Sequence, residues 1–158
     1  TDGWLTLANQ TPISTNDFSN KRTELNAWIL TVPAPFDDVI DLRTGVEDTA
    51  TGKWKEPTTA AVNLTTTTGS STTVIQLNST VVASAYVGKQ LIIGAESKLI
   101  TANTTTAITV SNAYTGAPSS GVAIVVRDTL TVDGVHPTAW GHKLLAAVLT
   151  ANESKFLL

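Results

Sequence analysis

The sequence contains no cysteine. That excludes disulfides and thiolate metal sites and leaves the compartment open. Methionine is absent too, and the first residue is Thr1. A primary translation product begins with Met, so the expectation is a processed piece or part of a longer chain. Charge is scarce: charged residues make up 15% of the chain, net charge is −3, and no basic cluster occurs. Phosphate binding needs concentrated Lys and Arg, so nucleic acid is not an expected partner. No apolar run approaches the roughly 20 residues of a membrane-spanning helix. No signal-peptide pattern opens the chain.

What remains is enough for a folded domain. Hydrophobic residues make up 42% of 158 positions, room for one ordinary domain or two small ones. Residues 1–16, TDGWLTLANQTPISTN, are rich in turn formers and read as an extended loop. Phe18, Leu25, Trp28 and Ile29 then fall on one face at period 3.6, with Lys21, Arg22 and Glu24 outside it. Asn16 or Asp17 is placed to cap, and Pro33 and Pro35 stop the run. The spacing predicts a helix over about 17–30. FDDVIDL, 36–42, reads as a buried strand of a parallel sheet. RTGVEDTATGKWKEP, 43–57, reads as loop.

From Thr58 the composition changes. TTVIQLNST, GKQLIIGAESKLITA, TTAITVSNAY and GVAIVVRD are short β-branched runs separated by Gly, Asn and Ser. Their spacing predicts a small β-sandwich or barrel. LTTTTGSSTT is a linker or an entry strand. Helical period returns with Trp140, Leu144, Leu145, Val148 and Leu149. The organisation is therefore a flank at 1–57, an inserted β domain at 58–127, and a second flank at 128–158.

The most chemically pointed stretch is DGVHPTAWGHKLLAA, Asp133 to Ala147. An acid three residues before a histidine, in a Gly-containing turn, can reach one imidazole nitrogen and leave the other as a base. The plainer reading is a surface Asp-Gly turn before a Pro-initiated helix.

The wider context favours the first reading. DGVHPTAWGHKLLA resembles the C-terminal signature of the SGNH hydrolases (GDSL esterases and lipases): D-G-x-H-P, a short polar gap, G-H or G-Y, and a Leu/Ala helix. TDGWLTLANQTP, RTELNAWI, FDDVIDL and VEDTATGKWKEP look like segments that precede it in some bacterial and phage-like members. The resemblance covers about 1–57 and 128–150, and the β block is not part of it. It implies the C-terminal part of a flavodoxin-like α/β hydrolase. His136 would be the general base and Asp133 its orienting partner. The family's nucleophile is a Ser in a G-D-S motif, and its oxyanion hole includes a Gly and the Asn of a G-x-N-D motif. Neither motif is in this sequence. Asn9 and Asn16 lack the Gly context and receive no role. The nucleophile is thus expected from a further segment or chain, and these residues alone are expected to be inactive.

Other residues carry less. His142 follows His136 by six positions, a weak metal pattern that reads better as helix packing. Asp37, Asp38 and Asp41 suit either a cation or strand-end capping, and capping is favoured. Glu47 and Asp48 read as solvated loop. No metal or other cofactor is expected. Of the four tryptophans, Trp28 and Trp140 read as core, and Trp4 and Trp54 are candidates for a sugar platform, Trp54 being the substrate-binding choice.

Two functions follow. The leading one is a serine esterase or deacetylase acting on esters such as O-acetyl groups on carbohydrate. The second is a glycan-binding or structural protein of phage-tail or virion type that uses the β insertion, an analogy at fold level. An extracellular or virion-associated place is favoured, and homo-oligomerisation is left open. A hydrolase sheet lacking its first strands would expose apolar edges, so the missing segment is expected to exist.

Overall fold

The computed structural model describes Leu5, Gln10 and residues 18–48, 50–57 and 62–155. Its elements run α1 (Phe18–Ile29), a single helical turn α2 (Arg43–Val46), β1 (Glu47–Asp48), β2 (Lys53–Trp54), β3 (Val62–Thr65), β4 (Val74–Gln76), β5 (Gln90–Ile93), β6 (Glu96–Asn103), β7 (Ala107–Val110), β8 (Ala123–Arg127), α3 (Ala139–Ala151) and a closing 3-10 turn (Glu153–Lys155).

Residues 62–127 form a six-stranded sheet of order β3-β8-β5-β6-β7-β4 in which every pairing is antiparallel. The β-branched runs supply the strands and short polar turns connect them. The sheet curls until its two edges meet. Thr66 bridges Leu77, the Thr67 amide donates to the Gln76 carbonyl at 2.9 Å, and the Asn78 amide donates to the Thr65 carbonyl at 2.9 Å. A register shift between Ile100 and Ala102 in β6 adds to the bend. Closing the edges protects backbone groups that would otherwise template pairing with another chain. The LTTTTGSSTT stretch, 64–73, thus carries the end of strand β3 and the turn leading to β4.

The core lies inside this curl. Ile75, Leu77, Leu91, Ile100, Ile108, Val110, Tyr114, Ile124 and Val126 form one buried cluster. The Tyr114 hydroxyl satisfies itself by donating to the Leu91 carbonyl at 2.7 Å. Among the described residues, only Leu5, Val46 and Leu130 are fully buried hydrophobics outside it. At roughly 1.5–3 kcal/mol per buried aliphatic side chain, the hydrophobic stabilisation sits mainly in the β block.

The flanks build a thinner second layer. β1 and β2 form a minimal hairpin, Glu47 opposite Trp54 and Asp48 opposite Lys53. The Asp48 carboxylate accepts the Thr51 amide at 3.0 Å and its hydroxyl at 2.8 Å, closing the turn. The 43–57 stretch expected as loop therefore contains a helical turn and a hairpin. α2 packs across α3 where Gly45 faces Leu144 and Val148.

The expectation of a flavodoxin-like α/β hydrolase is not met. The described residues are mostly β, and among them neither sheet contains a parallel pair. FDDVIDL, expected as a buried parallel strand, forms no strand, and Phe36 is 55% exposed. A parallel strand needs neighbours to satisfy its backbone, and the described residues offer this segment none. Its polar groups are satisfied without a strand partner: the Val39 amide donates to the Asp38 carboxylate at 2.6 Å, the Arg43 amide to Asp41 at 3.1 Å, and Lys155 Nζ to the Val39 carbonyl at 2.9 Å. The helix predicted over 17–30 spans Phe18–Ile29, yet Trp28 is 53% exposed rather than in a core.

Candidate functional site

The Asp133–His136 turn stands where the two layers join. Strand β8 leads into Asp128, Thr129, Leu130 and Thr131. Asp128 is ion-paired with Lys89, and the Thr129 hydroxyl donates to the Gly88 carbonyl at 2.7 Å. These contacts tie the end of the β block to the approach of the turn. Leu130 and Thr131 are buried, so the turn springs from a fixed base. On its far side Thr131 bridges Pro137, and Thr138 caps α3 by accepting the Gly141 amide at 3.2 Å. The Thr138 amide returns to the Leu130 carbonyl at 2.8 Å.

Within the turn one carboxylate does most of the holding. Asp133 Oδ1 accepts the Val135 amide at 2.9 Å, the His136 amide at 2.8 Å and the Thr131 hydroxyl at 3.2 Å. Thr131 in turn accepts the Gly134 amide at 2.9 Å. Gly134 has φ +83°, a region that disfavours any residue with a Cβ. An acceptor side chain followed directly by Gly suits this turn, and His at the fourth position brings its ring back to the same carboxylate.

Asp133 Oδ2 lies 2.7 Å from His136 Nδ1. A neutral imidazole in this contact carries its proton on Nδ1, donated to the carboxylate, and leaves Nε2 with a free lone pair. Among the described residues Nε2 has no hydrogen-bond partner, and the His136 side chain is 82% exposed. The His136 amide, the His136 ring and the Val135 amide, in that order, hold the Asp133 carboxyl well below the usual carboxylate range. Asp133 is therefore an anion wherever His136 can act as a base. The pair is chemically competent to accept a proton at Nε2 and to stabilise the resulting imidazolium.

Trp54 joins this site from β2. Its indole N–H donates to the Gly134 carbonyl at 2.9 Å, and its ring is half-buried. Its backbone is clasped by the buried Gln10 side chain: the Trp54 amide donates to Gln10 Oε1, and Gln10 Nε2 donates to the Trp54 carbonyl, both at 2.8 Å. Neither Gln10 nor Thr131 has a signal in the sequence beyond its polarity.

The remaining candidates do not converge. Asp41 is held by Arg43 through its Nε at 2.9 Å and a terminal nitrogen at 2.8 Å, and that guanidinium lowers its pKa. Asp38 is paired with Lys155 at 2.9 Å and lowered by it. Among the described residues, no group of three or more His, Asp or Glu side chains is arranged to hold a metal ion. Glu47 and Asp48 belong to the β1–β2 hairpin. His142 is exposed on α3, and Trp140 is half-buried with Lys143 Nζ 4.8 Å from its ring centroid. Trp4, Asn9, Asn16 and Asp17 lie outside the described residues.

The chain matches no protein-family model, no curated protein and no solved structure.

Proposed function

We propose that Asp133 and His136 are the orienting acid and general base of a serine esterase whose nucleophilic Ser lies outside these 158 residues. The observation that carries this reading is the 2.7 Å Asp133 Oδ2–His136 Nδ1 contact with Nε2 left open toward solvent. Ser attacks the ester carbonyl while His136 Nε2 takes its proton. That proton passes to the departing alcohol as the tetrahedral intermediate collapses. Water then repeats the cycle on the acyl-enzyme, and Asp133 stays ionised throughout.

O-acetylated carbohydrate is the substrate class we favour, since the adjoining β block offers a low-charge Thr, Ser and Asn surface suited to hydroxyl groups. Exposed Leu25, Trp28 and Phe36 are apolar surface that the segment bearing the nucleophile would cover.

The test is acetyl-ester hydrolysis by the complete natural protein. His136→Ala lowers kcat by about 10³-fold or more on this reading, by analogy with other triads. Unchanged turnover in that variant would overturn it. Glycan binding without turnover, insensitive to His136, would point to a binding or structural protein built on the β block.

A further inference from the structure

The Asp133–His136 turn has little packing to hold it. His136 projects into solvent and Val135 is also exposed. What fixes the turn is hydrogen bonding, and one of those bonds comes from far along the chain. Trp54 stands 80 residues before Gly134, the residue directly after the acid, and donates its indole N–H to that carbonyl at 2.9 Å. Trp54 is itself held on two sides. Across the hairpin it pairs with Glu47. On the other side the Gln10 amide reads its N–H and C=O together, as a neighbouring strand would. Gln10 is 3% exposed, so the clasp is shielded from competing water. A long side chain anchored in this way fixes the height and tilt of the Gly134 peptide. That peptide sets where the Val135 and His136 amides meet Asp133 Oδ1.

We propose that Trp54, clasped by Gln10, is a positioning residue that holds His136 in its Nδ1–H tautomer by anchoring the Gly134 carbonyl. The inference rests on the reading of His136 as a base, and it assigns Trp54 to the catalytic turn rather than to substrate. The indole N–H is already spent on Gly134, so a ligand has only the exposed part of the ring to meet.

The experiment reads the imidazole directly. Long-range ¹H–¹⁵N correlation spectra of this chain, recorded where His136 is neutral, report which ring nitrogen carries the proton. Wild type shows Nδ1–H. Trp54→Phe keeps most of the ring and removes the donor. It shifts His136 toward the Nε2–H form and speeds hydrogen exchange of the Val135 and His136 amides at least several-fold. Replacement of Trp54 by benzothienylalanine, which keeps the bicyclic shape without an N–H, gives the same result if Trp54→Phe folds poorly. An unchanged tautomer and unchanged exchange in a folded Trp54 variant overturn the proposal. Loss of thermal stability alone, without those two changes, overturns it too and leaves Trp54 a packing residue. These readouts need no turnover. Failure of the esterase reading shows in His136→Ala kinetics, and failure of the positioning role shows in the spectra.

Discussion

Substituting Gly141 by alanine tests the packing of α3 against the segments that flank the turn, at Leu130 and Pro137. Gly141 sits in the first turn of α3, beneath the loop that starts the Asp133 segment. A Cβ there would lie 2.6 Å from the Leu130 carbonyl oxygen and 3.0 Å from Pro137 Cβ. Ordinary contact begins near 3.4 Å, so helix and loop must separate by about 0.8 Å, the difference between 3.4 and 2.6 Å, at the tighter of the two contacts. The obstructing atom is a backbone oxygen that already accepts the Thr138 amide at 2.8 Å, and it cannot withdraw without stretching that bond. Two effects compete. Alanine favours helix over glycine by about 1 kcal/mol. Overpacking of this kind costs about 1–3 kcal/mol. Clash offsets or exceeds the helix gain because both obstructing groups are fixed, for a net loss of up to about 2 kcal/mol. For a chain of this size each kcal/mol lowers the thermal midpoint by roughly 2–4 °C. Calorimetry on Gly141→Ala and on Gly116→Ala makes the comparison. Gly116 has nothing within 4 Å of an added Cβ, and alanine there leaves the midpoint unchanged or slightly higher. A raised midpoint in Gly141→Ala would refute the packing argument.

Two further outcomes concern the acid. Asp133→Asn retains an oxygen for the Val135 and His136 amides but turns an NH₂ toward His136 Nδ1. The ring must then accept at Nδ1 and carry its proton on Nε2. NMR should show that tautomer, and kcat of the complete enzyme should fall by about 10⁴-fold, the size seen for the equivalent change in a well-studied triad. Full activity in this variant would contradict the orienting role. Asp133 also has a pH signature. Its folded pKa is lowered, so its contribution to stability is fully present above its unfolded value of about 3.9 and is lost as pH falls toward the folded value. The Asp133 side-chain carboxyl ¹³C shift should accordingly remain that of the anion below about pH 3.9. Titration at the ordinary value would show that the turn is not formed as described.

What was legible in the sequence was local. Asp133, Gly134 and His136 lie within four residues, so their spacing in a Gly-containing turn shows that the acid can reach the base, but does not alone decide between that contact and a plain surface turn. The β-branched runs announced strands because a pleated, half-buried surface selects those side chains wherever their partners come from. FDDVIDL failed for the converse reason. A seven-residue run with four apolar side chains is compatible with a buried strand, but pairing depends on neighbours that the segment itself does not encode. Trp28 failed in a related way: period 3.6 gives an amphipathic face, not what covers it. The contacts of Gln10 with Trp54 and of Trp54 with Gly134 span 44 and 80 residues and leave no trace in local pattern. Gly141 reads as a blemish in a helix until the Leu130 carbonyl is seen beside it.

The central claim is that His136 serves a serine. The direct measurement is covalent labelling of the complete natural protein with a fluorophosphonate probe, followed by peptide mass spectrometry. The expected result is one modified Ser, outside these 158 residues, whose labelling rate collapses in His136→Ala. No labelled Ser, or a Ser labelled equally fast without His136, would contradict it.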